Sequence, residues 1–139
     1  MQLTVYTSRA KQTFTSSDLA ELGTFAASVS HFTGITGLLV FDGDRFIQAL
    51  EGDAARVRAI MNRIVKDPRH DNIVYVENTE IEQRQFDRWS TEYRDTGDLS
   101  DGSAFFDRVM DHVADVESDL TKAAFIGFAA LSLCRRLKH

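Results

Sequence analysis

At 139 residues, 43% hydrophobic and 27% charged, the chain has the size and balance of a single folded domain that needs no disulfide or metal staple. A formal net charge of −5 lacks the basic footprint that neutralises phosphates, which excludes nucleic acid as an expected ligand. The lone Cys134 cannot close an intramolecular disulfide, and His31, His70, His112 and His139 lack zinc-type spacings, so a packed thiol and mostly surface histidines are expected.

Met1-Gln2-Leu3-Thr4-Val5-Tyr6 has neither the basic start nor the apolar stretch of a secretory signal. The most apolar segment, 123–134, is shorter than the ~20 residues of a membrane-spanning helix. A cytoplasmic location with no membrane partner is therefore expected. Thr4-Val5-Tyr6-Thr7 reads as a first strand on which Tyr6 faces away from Leu3 and Val5. Thr15-Ser16-Ser17-Asp18 supplies capping side chains, and Leu19, Leu22, Ala26 and Val29 follow at helical spacing, so a first helix ends before Gly34.

Residues 35–41, Ile-Thr-Gly-Leu-Leu-Val-Phe, are apolar on both alternating sets, as in a strand covered on both faces. Asp42-Gly43-Asp44 turns the chain into a partner strand over residues 45–51, where Phe46, Gln48 and Leu50 share a face. Asp53 offers an N-cap for a second helix with the stripe Val57, Ile60, Met61 and Ile64, which Asp67-Pro68 stops. Residues 73–76 read as a strand, and 89–93 as a weaker one after a charged connection over residues 80–84.

The expected fold class is α+β, a ferredoxin-like β-α-β-β-α-β-β sheet with two helices on one face, followed by two C-terminal helices that break near residues 117–119. In the last helix Phe125, Ile126, Phe128, Leu131 and Leu133 go around most of the circumference, which predicts burial all round, either over the sheet or in an oligomer interface. Residues 1–98 and 99–139 form a site-bearing part and a helical extension of one compact unit.

Dinucleotide, phosphate-loop, nucleophile-elbow and paired-histidine motifs are absent. Asp42 and Asp44 flank a hairpin glycine, where aspartate suits turn geometry alone. Gln48 lies between Phe46 and Leu50 on an apparently buried face, where an amide needs partners; neighbouring backbone would suffice, as water or a carbonyl would for the Tyr6 hydroxyl. Arg63 and Asp67 stand four apart, the spacing of an ion pair, and Arg69 and His70 follow the helix end, where cations suit the dipole.

Taken together, Val5-Tyr6-Thr7-Ser8, Gly34-Ile35-Thr36-Gly37-Leu38-Leu39, Phe46-Ile47-Gln48-Ala49-Leu50-Glu51-Gly52, Asp67-Pro68-Arg69-His70 and Phe86-Asp87-Arg88-Trp89 resemble the successive blocks of the BLUF family, in order and spacing, over residues 3 to 93. The tail resembles the short BLUF proteins that add two helices and no output enzyme. The resemblance implies a photoreceptor without catalytic turnover that holds the ring of FAD, with FMN or riboflavin as variants, between the first two helices. By the same resemblance, Tyr6 gives an electron and a proton to the excited flavin. Gln48, bonded between Tyr6 and the flavin, rearranges, and a slightly red-shifted state follows.

The resemblance further assigns Phe46 to the side of the ring and Arg63, Asp67, Arg69 and His70 to its polar contacts. Two positions depart from the pattern. Ser30 stands where the family has an asparagine, and one hydroxyl donor in place of two amide donors implies binding weaker by about 1 kcal/mol or more. Thr91 replaces a methionine that, with Trp89, is linked to passing the change onward. A downstream signalling protein and homo-oligomerisation through the C-terminal helices are the implied partners. The alternatives are a flavin-free BLUF-like interaction module and, more remotely, an acylphosphatase-like hydrolase, which would need a phosphate cradle where residues 7–17 contain no glycine.

Overall fold

Alternating apolar residues at the amino terminus form β1 (Gln2–Ala10), which buries Leu3 and Val5 on one face and Tyr6 on the other, in the computed structural model, which describes residues 1–95 and 101–136. The first helix, α1 (Ser16–Thr33), is closed by a reciprocal cap. The Asp18 N–H donates to the Thr15 hydroxyl at 3.1 Å, and the Thr15 N–H donates to the Asp18 carboxylate at 2.9 Å. Gly34, at φ 73°, ends it in the left-handed conformation.

The hairpin of β2 (Thr36–Phe41) and β3 (Arg45–Gly52) turns where the Asp42 carboxylate accepts from the Asp44 and Arg45 N–H groups at 2.9 and 2.7 Å. That is the turn role expected of Asp42. Next come α2 (Ala54–Lys66), running from its Asp53 cap to Asp67, then β4 (His70–Glu80), β5 (Trp89–Tyr93), α3 (Asp101–Val113) and α4 (Asp119–Arg136). The five strands lie in the order β4-β1-β3-β2-β5, with β5 parallel to β2 and the other pairs antiparallel. Tyr6 and Gln48 are direct partners in the β1–β3 ladder.

The sheet divides two cores. Leu3, Val5, Leu38, Val40, Ile47 and Ala49 pack under α3 and α4 against Phe105, Val109, Phe125 and Phe128. The opposite face carries Tyr6, Leu39, Phe46 and Leu50 beneath α1 and α2. This is the expected α+β ferredoxin-like arrangement, with the C-terminal pair of helices covering the second face. Among the described residues no helix is long and apolar enough to cross a membrane.

The fold departs from the sequence reading at three points. β4 extends beyond residues 73–76 at both ends, because pairing along the whole of β1 holds polar residues such as Asp71 and Glu77 in an edge strand, where they face solvent or the helices. α4 is not buried all round: among its described residues only Thr121, Phe125, Phe128, Ala129 and Ser132 are, since one face alone meets the sheet, and Leu131 stays exposed. Cys134 is exposed rather than packed, for the same reason. The expected boundary between residues 98 and 99, and His139, lie outside the described residues.

Glu51 holds the connection between β4 and β5, a role the sequence reading missed. It shares the buried face of Ile47 and Ala49, where a carboxylate must find donors. It accepts from the Thr36 hydroxyl at 2.9 Å and from the Gln85 and Phe86 N–H groups at 2.7 and 2.6 Å. The Gln85 side-chain carbonyl in turn accepts from the Glu117 and Ser118 N–H groups at 2.7 and 3.0 Å, so the turn between α3 and α4 hangs on the same connection. Burial pushes the Glu51 carboxyl above its usual range despite these donors.

Replacing Glu51 with alanine strands two backbone donors and is expected to lower stability in urea titrations by about 2 kcal/mol or more. Because its folded pKa is raised, the charged carboxylate costs stability as pH rises from the ordinary carboxylate value through the folded one. The difference between wild type and Glu51→Gln should therefore fall across that window, and a flat difference would contradict the assignment.

Candidate flavin site

The site begins with the β1–β3 register, which sets Tyr6 beside Gln48 on the face beneath α1 and α2. The Tyr6 hydroxyl donates to the Gln48 side-chain carbonyl, so the amide's partner is a phenol and not backbone. Both groups are buried, yet both border a cleft of about 200 Å³ over the sheet. Burial, and after it the neighbouring Asp67 and Tyr75, push the phenol far above its usual range, so Tyr6 is a neutral hydroxyl that keeps its proton on Oη. Among the described residues the Gln48 amide nitrogen has no hydrogen bond, which leaves a carboxamide with its acceptor taken and its donors available at the cleft.

The walls are apolar. From α1 come Leu22, Ala26 and Val29, the stripe read in the sequence as packing; of that stripe only Leu19 is buried by protein, while the other three line the cleft. Phe14, Phe25, Ile60, Ile64 and the sheet residues Leu39 and Leu50 complete the walls, and Phe46 and Trp89 border it with their aromatic rings. Neither Phe14 nor Phe25 was singled out from sequence; a helix stripe longer than its strand partner could cover was the available signal.

Polar groups collect along the α2 side. Arg69 grips Asp67 through Nε at 3.0 and 3.1 Å and Nη2 at 2.6 Å, and the Arg69 N–H also donates to that carboxylate at 3.0 Å. The guanidinium beside it holds the Asp67 carboxyl below its usual range. The expected pairing of Arg63 with Asp67 is not formed: the rigid turn at Pro68 brings Arg69 back onto Asp67, and Arg63 borders the cleft separately. His70 Nε2 lies 2.6 Å from the Ile64 carbonyl at the end of α2 and Nδ1 lies 2.7 Å from the Ser8 hydroxyl. A carbonyl can only accept, so Nε2 carries the hydrogen and both ring nitrogens are engaged. His70 thus presents a locked ring, not a free polar atom.

Ser30 borders the cleft but its hydroxyl donates to the Ile35 carbonyl. Thr91 is the one residue of the expected set that does not line the cleft. Its hydroxyl accepts from the Trp89 indole N–H at 3.1 Å, and it lies under Gly23 of α1, where an added Cβ would stand 3.6 Å from the threonine methyl. On the other face of β5, Glu92 accepts from Arg108 Nε at 2.8 Å and meets His112 Nε2 at 2.9 Å, while Arg108 also reaches Asp101 at 3.1 Å. Burial alone would raise the Glu92 carboxyl, but the bonds from His112 and Arg108 hold it below its usual range. One strand therefore touches the cleft and grips α3.

A flat aromatic ring with a polar edge fits this cleft: apolar and aromatic walls, two available amide donors from Gln48, and a charged Asp67–Arg69 pair at one side. A phosphate cradle between β1 and α1 does not fit. At the start of α1 the Asp18 carboxylate already accepts from the Thr15 N–H, and the Asp18 N–H is taken by the Thr15 hydroxyl.

Comparison with known proteins finds the same fold and a family match. Over 40 residues the chain is 50% identical to the blue light- and temperature-regulated antirepressor BluF of Escherichia coli (strain K12), a match spanning 29% of this chain and 10% of that protein. The structure superposes on Klebsiella pneumoniae BlrP1 in its manganese and cyclic di-GMP complex with a TM-score of 0.73 at 25% identity, covering 93% of this chain and 32% of BlrP1. It matches BlsA in its photo-activated state with a TM-score of 0.64 at 26% identity, covering 93% of this chain and 94% of that one. The chain thus spans about a tenth of the antirepressor and about a third of BlrP1. The family model described as sensors of blue-light using FAD matches residues 1–92, and the chain belongs to the BLUF family.

Proposed function

We propose that this chain is a blue-light photoreceptor that works without catalytic turnover through a Tyr6–Gln48 hydrogen-bond switch and relays its state to a signalling partner. The observation that carries the reading is the Tyr6 hydroxyl donating to Gln48 within the wall of the apolar cleft. When bound, FAD supplies absorption of blue light and an acceptor for an electron and a proton. Phe46 and Trp89 would hold its ring, and Arg63, Asp67, Arg69 and Ser30 would offer polar contacts, with His70 fixing the turn that carries Asp67 and Arg69. The same contacts would admit FMN or riboflavin, since they address the ring.

Tyr6 is the source of an electron and of the proton on Oη. Its buried, neutral phenol gives up that proton only as the electron leaves, which keeps the site silent in the dark. Gln48 orients the phenol through its carbonyl and, because donor and acceptor ends of a carboxamide have nearly the same shape, can exchange them without repacking its neighbours. The exchange alters what Trp89 meets across the cleft. Trp89 is tied to Thr91, and the next residue, Glu92, is tied to Arg108 and His112 of α3, which gives the change a bonded path to the C-terminal helices. Through those helices the chain associates with itself and addresses a downstream protein.

A flavin-free interaction module is favoured by one observation, the engagement of the Ser30 hydroxyl by Ile35. The absorption spectrum of purified protein, with FAD added, separates the two readings. The switch predicts a yellow protein whose band moves reversibly to the red after blue light, and loss of that movement in Gln48→Leu and Tyr6→Phe. Protein that stays colourless with FAD, or a shift that survives in Gln48→Leu, would refute it.

The relay has its own test. Arg108 is partly exposed, so Arg108→Ala should cost no more than about 1 kcal/mol. It should keep the red shift yet abolish any light-induced change in hydrogen exchange along α3. Unchanged light-dependent exchange in that variant would show that the path runs elsewhere.

A further inference from the structure

The mouth of the cleft is marked by the lining residues that stay in solvent. Of the side chains around it only Phe25 on α1 and Arg63 and Arg69 on the α2 side are exposed, whereas Tyr6, Leu39, Phe46, Gln48 and Leu50 make a buried floor. The two cations at the mouth differ in what holds them. Arg69 is closed onto Asp67 at 2.6 Å, so that pair carries no net charge. Arg63 enters no hydrogen bond or ion pair among the described residues, which leaves a guanidinium at the opening that the fold itself does not use.

The backbone around Arg63 offers acceptors, not donors. Arg63 stands in the last turn of α2, where a helix presents carbonyls, and the Ile64 carbonyl already accepts from the Asp67 N–H at 3.1 Å. At the start of α1 the Asp18 N–H is taken by the Thr15 hydroxyl. An anion at this mouth therefore depends on a side-chain cation. Arg56, Arg58 and Lys66, the other cations of α2, do not border the cleft, and Arg56 is bonded to the Thr33 carbonyl at 2.7 Å. That leaves Arg63.

We propose that Arg63 is a phosphate anchor at the mouth, through which the cleft prefers FMN and FAD, whose chain beyond the ring carries a phosphate, to riboflavin, whose chain ends in a hydroxyl. The proposal rests on the flavin reading above. Contacts to the ring admit all three molecules, so a preference among them has to arise where the chain leaves the cleft. A planar guanidinium suits the task, since it can donate two N–H groups to two oxygens of one phosphate.

Equilibrium binding of FMN and of riboflavin to the full chain freed of resident flavin, followed by quenching of flavin fluorescence, tests the anchor, with circular dichroism confirming the fold of each variant. Wild type should bind FMN about tenfold more tightly than riboflavin, and the preference should shrink as salt is raised. Arg63→Gln should bind the two alike, by losing affinity for FMN alone, and Arg63→Lys should keep part of the preference because it keeps the charge. Arg58→Gln should keep all of it, and Phe25→Ala should weaken both flavins equally. Equal binding of the two flavins by wild type, or a preference that survives in Arg63→Gln, would overturn the anchor and leave the flavin reading standing. Failure of both flavins to bind wild type would overturn both.

Discussion

The hydrogen bond between Tyr6 and Gln48 is the constraint on which the site depends, and it is a product of strand register. Because side chains alternate, a slip of one residue between β1 and β3 would turn Gln48 toward the face of Ile47 and Ala49 and put those apolar groups in its place. The register is secured from both sides: Leu3 and Val5 cannot leave the core under α3 and α4 without carrying Tyr6 with them. A phenol and a carboxamide are thus held at the base of a cleft by packing on the far face of the sheet.

The two faces of β3 divide the work. Gln48 looks into the cleft with donors available, while Glu51, three residues on, is fully buried on the other face and ties down the connection that leads into β5. Strand β5 repeats the division, with Trp89 at the cleft and Glu92 bonded to α3. Fixed charges hold the helical side in place, so the element free to change is the small neutral network of Tyr6 and Gln48 with Trp89 and Thr91 beside it. In the proposed reading the chemistry is local to that network and the output passes through β5 to α3.

Much of this was legible in the sequence because it rests on periodicity and on capping. The sides taken by Tyr6 and Leu3, the caps at Thr15 and Asp53, the hairpin at Gly43 and the shared face of Phe46, Gln48 and Leu50 follow from alternation and local hydrogen bonding. What was not legible depended on which groups meet across the fold. Spacing suggested Arg63 for Asp67, but the turn at Pro68 supplies Arg69 instead. Glu51 closed the expected strand over residues 45–51, and nothing local announced the donors that residues 85 and 86 bring from a distant connection. The length of β4 was hidden because an edge strand need not be apolar, and the outer stripe of α4 because composition does not say which face a neighbour covers.

The central claim is that Gln48 changes its hydrogen bonding to Tyr6 when the protein is illuminated. The most direct measurement is nuclear magnetic resonance of protein carrying isotope-labelled glutamine side chains, with Gln48 assigned by substitution, in darkness, under blue light and during recovery. The account predicts that the Gln48 amide signals move under light and return in the dark in step with the absorption band. Signals that stay fixed while the band shifts and recovers would contradict it.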